Sequence, residues 1–498
     1  MLLIARAESF RERTAVISAG GEFSYGRLLE ASGRVAASLL DGADDLSQAR
    51  VAFLVRPGFG YAAALWGVWR AGGVAVPLAA QHPLPELEYS VDDAGADIIL
   101  GSKDFDDRLS PLASDGRRLV SLDQALLEPE TPLPHVEVHR SAMILYTSGT
   151  TGKPKGVVMT HQQIQSQITT LVSAWGWTQK DHILHVLPLH HTHGIVNVLL
   201  CALWSGAVCE MLPKFEAEAV WERFLQSPLT LFMAVPTIYV KLISAWESFP
   251  PARRAEMSAA ASRMRLMVSG SAALPVSVLE KWKAVTGHVL LERYGMTEIG
   301  MALSNPLHGE RVPGCVGAPL PGVDVRLVDK NGSLVQPGVQ GEIQVRSPGV
   351  FKEYWHRPEV TAASFKDDWF RTGDVAVVED GVYRLLGRKS VDIIKSGGYK
   401  ISALEIEEVL LTHPGIEECS VVGLPDLEWG RRVGAALVLK KGAALSLSSL
   451  RDWAKERLAT YKVPTRMLTL GDLPRNPMGK VTKPEVIKMF ADRRIGEK

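Results

Sequence analysis

An excess of charge of either sign is missing: 55 Lys and Arg stand against 55 Asp and Glu. No global field therefore draws the chain to nucleic acid or to an anionic membrane, and any anion site has to be local. Cysteine is scarce. Cys201, Cys209, Cys315 and Cys419 show no C-x-x-C spacing and are too few in 498 residues for a disulfide framework, which fits a reducing, cytoplasmic setting and leaves them as core or bystander residues. No stretch offers the ~20 apolar residues of a membrane-spanning helix. The most apolar long run, His193 to Cys209, holds Asn197, Ser205 and glycine and histidine interruptions, and it is predicted as a buried helix entering a strand. The amino-terminal run Leu2-Leu3-Ile4 is too short for a signal peptide, and Glu8 follows closely. Internal repeats and low-complexity tracts are also absent.

What is present is an alternation of short apolar runs with helical patterns. Ser24 caps a predicted helix from Tyr25; Val51–Val55, Gly73–Leu78, Asp97–Leu100, Ile183–Val186, Ala207–Leu212, Leu231–Val235 and Leu266–Val268 read as buried strands between helices. That is the sequence form of a doubly wound α/β fold with mostly parallel sheets. From Val312 to Val350 the texture changes to period-2 runs separated by Pro and Gly, which predicts a small antiparallel barrel-like unit. After Arg388 the chain turns charged and locally helical. We therefore expect a large domain over 1–388 and a small mobile α+β domain over 389–498.

The chain is organised around Tyr146-Thr147-Ser148-Gly149-Thr150-Thr151-Gly152-Lys153-Pro154-Lys155-Gly156, a tight loop between two apolar runs. Glycines let backbone N–H groups approach an anion, four hydroxyls add donors, and Lys155 adds positive charge: these are the parts of a phosphate cradle. Pro154 stands where a Walker loop needs its second Gly. Met267–Pro275 reads as a strand emptying into a small-residue turn, the place where open α/β sheets bind ligands. Three histidines crowd into His190–His193, but no carboxylate or cysteine sits at zinc-ligand spacing beside them.

The loop, with Tyr294-Gly295-Met296-Thr297-Glu298, Arg371-Thr372-Gly373-Asp374 and Pro474-Arg475-Asn476-Pro477-Met478-Gly479-Lys480 in the same order, resembles the adenylate-forming superfamily of acyl-CoA synthetases. The RYGMTEIGMALSNPLHGERVPGCVGAPLP run and the HHTHG stretch are similar to malonyl-CoA synthetases in particular. The resemblance implies ATP, Mg²⁺ and CoA as partners of a small dicarboxylic acid, through an acyl-adenylate. It places Thr147, Ser148, Gly149, Thr150, Thr151, Gly152 and Lys155 on the phosphates, and Gly270, Ser271, Ala272, Glu292, Tyr294, Gly295 and Thr297 around the nucleotide. Asp374 and Arg388 would hold the ribose, Glu298 the metal, and Lys480 the transition state of adenylation, with Thr147, Lys155 and Glu298 also in the catalytic set. His191, Thr192, Ser269 and Met301, with His193 beside them, would line the acid pocket.

Arg293 departs from many relatives, and a guanidinium there would pair with a second carboxylate, or else with Glu292 or the nucleotide. Arg311 is a second cation for that carboxylate or a surface residue. Lys389 or Ser390 would be the hinge, and Gly397 and Gly398 the lining of a pantetheine tunnel. Malonate is the first expected substrate and methylmalonate the second. The alternatives are a short- or medium-chain monocarboxylate synthetase, transfer to a carrier protein, and a non-catalytic adenylate-binding regulator. Neither nucleic acid nor membrane insertion is expected, and oligomeric state is not legible.

Overall fold

The computed structural model describes residues 2–113, 116–147, 154–396, 399–426, 429–476 and 479–495. Two large sheets carry the body. The first has nine strands in the order Ala318–Pro319, Gly300–Ser304, Leu291–Met296, Leu266–Ser269, Leu231–Ala234, His182–His185, Val208–Met211, Thr14–Ser18 and Gly21–Ser24. Its six central strands are parallel and its edges antiparallel. The second has seven, in the order Glu353–Tyr354, Lys155–Thr160, Ser141–Thr147, Val74–Pro77, Arg50–Leu54, Ile98–Gly101 and Arg118–Ser121.

Local sequence explains the elements that join them. Ser24 accepts a hydrogen bond from the Arg27 N–H and starts the helix Tyr25–Leu40, as Ser does at an N-cap. The helix Phe59–Arg70 is buried without a break from Tyr61 to Trp69; a helix apolar all round belongs inside. A Cβ on Gly67 would lie 2.5 Å from a Val35 methyl, so glycine sets how closely these two helices cross. The Trp69 indole N–H donates to the Ala142 carbonyl at 2.7 Å, which satisfies a buried donor and ties the helix to the strand leading into the loop. After the second loop strand, Thr160 and Gln163 form a capping box that begins the helix His161–Ala174.

Residues 324–388 form a five-stranded antiparallel half-barrel. Beyond it a two-stranded and a three-stranded sheet pack with the helices Ala403–Leu410, Leu447–Lys455 and Lys483–Ile495. Two apolar clusters there draw only on residues 394–490, separate from the main core. Among the described residues no helix is long and apolar enough to cross a membrane.

One expectation needs correction. Arg371–Asp374 reads in the sequence as the end of a strand, but it lies inside Trp369–Glu379, where Gly373 takes φ 74° and the pairing shifts register after Val375. The irregularity aims Asp374 at the site without ending the ladder.

Candidate active site

Thr147 and Lys155 face each other across an antiparallel pair, so the two strands that flank the expected cradle are the arms of a hairpin within the seven-stranded sheet. Ser148, Gly149, Thr150, Thr151 and Gly152 lie outside the described residues. Thr147 Oγ1 donates to the Lys155 carbonyl at 3.4 Å, and Lys155 Nζ lies 4.6 Å from the Tyr354 ring centre. The Tyr354 hydroxyl in turn donates to Glu298 Oε1 at 2.8 Å. Glu298 is buried, and burial raises its carboxyl while Tyr354, Arg388 and Lys155 pull it back down.

Among the described residues no group of three or more His, Cys, Asp or Glu could hold a metal by itself. A hard cation here would take Glu298 from the protein and complete its shell from phosphate oxygens and water, the usual Mg²⁺ arrangement. Thr297 is half-buried beside it.

The two residues expected at the ribose lie side by side. Asp374 pairs in register with Arg388, accepts its Nε–H at 3.1 Å and accepts the Tyr294 hydroxyl at 2.7 Å. Gly295 has no room for a side chain: a Cβ would lie 2.4 Å from the Met301 methyl, and Met301 itself is buried. Ala272 is exposed beyond the strand Leu266–Ser269.

Next to this half lies a cluster of buried polar groups. Arg293 is 5% exposed, and among the described residues no carboxylate pairs with it. Its Nη2 reaches Ser271 Oγ at 3.4 Å, and Ser271, held at φ 69°, also meets His193 Nδ1 at 3.1 Å. The Arg293 guanidinium packs on Gly270, where a Cβ would lie 2.3 Å from Cζ; burial lowers its pKa to about 10, which still leaves it charged near neutrality. His191 Nε2, Thr192 Oγ1, His193 Nε2, Ser269 Oγ and Arg293 Nε are buried and have no partner among the described residues. Such groups are costly unless a ligand or water completes them. Burial, with Lys480 among the nearby charges, keeps His191 and His193 neutral.

The burial of Asn197 was not legible: it is 1% exposed, and neither amide atom has a partner among the described residues. It sits four residues after His193 in a π-helix, His193–Leu200, a form of helix that recurs at functional sites. The spacing His-x-x-x-Asn was the available signal.

Glu292 points away from Arg293. Its Oε1 accepts the Gly314 N–H at 3.1 Å, and burial, with Glu408 adding to it, pushes the carboxyl up to about 8. The ion pair between Glu292 and Arg293 does not form. Arg311 is no second anchor either: its guanidinium donates to the carbonyls of Pro306, Val289 and Leu307 at 3.0, 2.5 and 2.9 Å, and so braces the loop.

From the carboxyl-terminal part, Lys480 keeps solvent-exposed surface within the cleft, while surrounding protein and the charges of Arg388 and Arg293 lower its pKa against the pull of Asp374. Lys389 Nζ pairs with Glu342 at 3.0 Å, and Ser390 is exposed. Both line a cavity of about 330 Å³ with Arg371, Thr372, Gly373 and Arg388. Gly397 and Gly398 lie outside the described residues.

Comparison with known proteins agrees with this geometry. Residues 3–355 match the model of the AMP-binding enzyme family, and residues 405–480 the AMP-binding enzyme C-terminal domain. The chain is 48% identical to the mouse (Mus musculus) mitochondrial malonate–CoA ligase ACSF3, over 97% of the chain and 90% of that relative. The crystal structure of ATP-bound MatB from Rhodopseudomonas palustris is 34% identical, with TM-score 0.91 and 99% of each chain covered. A malonyl-CoA ligase in a ternary product complex with methylmalonyl-CoA and AMP is 37% identical, with TM-score 0.70, covering 94% of this chain and 98% of that one.

Proposed function

The chain belongs to the AMP-binding enzyme family, and on that premise we propose that it is an ATP-dependent malonate–CoA ligase of the AMP-forming kind, with methylmalonate as its second acid. One observation carries the choice of acid. Arg293 is a buried charge without a carboxylate partner among the described residues, beside four further unpartnered polar atoms in a buried cluster whose field reaches Lys480. A monocarboxylate would leave that charge uncompensated; a diacid presents one carboxylate to Arg293 and the other to ATP.

The first step joins a malonate oxygen to the α-phosphorus and breaks the bond to pyrophosphate. Two anions must approach, and Lys480 neutralises charge that develops between them, as a transition-state donor does. Lys155 and the hairpin hold the triphosphate, and Asp374 with Arg388 fixes the ribose. When bound at Glu298, Mg²⁺ supplies further neutralisation of phosphate oxygens. In the second step the CoA thiol attacks the acyl carbon, a C–S bond forms, and AMP leaves.

Lys480 occupies the side a thiol would need, so the small domain over 389–498 turns about Lys389 or Ser390 and brings Gly397 and Gly398 to the tunnel. The TM-scores support this reading: at comparable identity, the chain superposes on the ATP-bound relative far better than on the product complex. All four cysteines are free, and a reducing compartment such as the cytoplasm is the proposed setting.

AMP release with CoA, measured across malonate, methylmalonate, succinate, acetate and octanoate, tests the proposal. Malonate should dominate, and Arg293→Ala should lower its kcat/KM on the order of 10²- to 10³-fold, as loss of one member of a buried charge pair does, with acetate little changed. Unaltered malonate kinetics in that variant would remove Arg293 as the anchor.

A further inference from the structure

The two ends of the phosphate hairpin are held from outside the sheet by one short helix. In Leu84–Ala94, Tyr89 and Asp93 stand four residues apart and so share a face. The Tyr89 hydroxyl donates to the Pro154 carbonyl at 2.7 Å, on the outgoing arm. Asp93 Oδ2 accepts the Tyr146 hydroxyl at 2.9 Å, on the incoming arm. The two tyrosine rings meet edge to face with centres 6.2 Å apart.

Asp93 is itself fixed. Its other oxygen takes Arg357 Nη2 at 2.8 Å, and its side chain is 12% exposed. Arg357 lies in the same short segment as Tyr354 and Trp355, separated from them by His356. The Trp355 N–H donates to the Gly156 carbonyl at 2.8 Å, while Tyr354 carries Lys155 on its face and Glu298 on its hydroxyl. Both arms, the phosphate lysine and the metal carboxylate are thereby referred to one helix. A sheet ladder alone fixes the register of a hairpin but leaves its tip free to tilt, and anion-binding backbone has to be aimed within a fraction of an ångström.

We propose that Asp93 and Tyr89 are positioning residues for ATP: they aim the phosphate hairpin without touching the nucleotide, and their removal weakens triphosphate binding ahead of every other property. The inference rests on the adenylation reading but not on the identity of the acid.

The test compares wild type with Tyr89→Phe, Tyr146→Phe and Asp93→Asn. ATP binding is followed by calorimetry, KM for ATP in adenylation alongside, with thioester formation from supplied malonyl-AMP and thermal unfolding as controls. Each Tyr→Phe change keeps the ring and removes one hydroxyl, so it should weaken ATP binding roughly 5- to 10-fold. AMP binding, thioester formation and unfolding temperature should stay near wild type. Asp93→Asn, which leaves Arg357 unpaired, should lose more. Unchanged ATP affinity in both phenylalanine variants overturns the proposal, as does equal loss in both half-reactions with a lowered unfolding temperature, which marks a staple of the fold. If malonate fails as substrate while the variants still bind ATP weakly, the choice of acid falls and the positioning role stands.

Discussion

Replacing Glu292 by Gln should make the protein more stable, and increasingly so as pH rises. Glu292 is 6% exposed, and burial lifts its carboxyl from 4.5 to about 8. The unfolded chain releases this proton near 4.5, whereas the folded chain keeps it until about 8. Between those values the folded state binds the extra proton, so stability is full below 4.5, falls as pH rises, and levels off above about 8. At 1.36 kcal/mol per pKa unit the full loss approaches ~5 kcal/mol.

Glutamine has the shape of the protonated acid and keeps an oxygen for the Gly314 N–H, so the variant should escape the loss. Its advantage should grow from about 1 kcal/mol at pH 5.5 to about 5 kcal/mol at pH 8.5. With about 2.1 cal/mol/K per residue, each kcal/mol moves the midpoint of a chain of this length by about 1 °C. Thermal unfolding of both proteins, followed by tryptophan fluorescence at matched ionic strength, should show a gap that opens by several degrees between those pH values. A gap that stays level across the range would refute the reasoning, because titrations common to both proteins cancel in the difference. Glu408, whose charge adds to the lift at Glu292, gives a second handle: Glu408→Gln should narrow the gap.

Lys480→Ala should slow adenylation on the order of 10²- to 10³-fold and leave thioester formation from supplied malonyl-AMP near wild type; equal loss in both half-reactions would count against a role in the first step alone. Gly270→Ala should displace the Arg293 guanidinium, since the added Cβ would lie 2.3 Å from Cζ. Malonate use should fall while the unfolding temperature holds, and an alanine variant with wild-type malonate kinetics would show that the wall yields.

The sequence was most readable where chemistry is local. Ser24 as a cap and the hydroxyl-rich loop between two apolar runs each carry their reason within a dozen residues. Arg293, Tyr294, Glu298, Asp374 and Lys480 were legible because they sit inside long motifs, and the fold brings them together. What stayed hidden depends on distant partners. Nothing near Asp93 announces Arg357, 264 residues away, and nothing near Tyr354 announces Glu298. A π-helix has the same apolar pattern as an α-helix, so the turn that buries Asn197 could not be read. Arg311 was left open between a second cation for the acid and a surface residue, and its partners, the carbonyls of Pro306, Val289 and Leu307, are backbone groups that no side-chain motif announces.

The Arg293 side chain fills the space that a side chain at position 270 would need, so the two positions do not vary independently. A descendant that exchanges Arg293 for a small residue, to accept a monocarboxylate, opens a void against Gly270; one that first gains a side chain at 270 displaces the guanidinium proposed to hold the diacid. The route between acid specificities therefore passes through a coupled pair, and double variants at 270 and 293 should recover activity on monocarboxylates that neither single change confers.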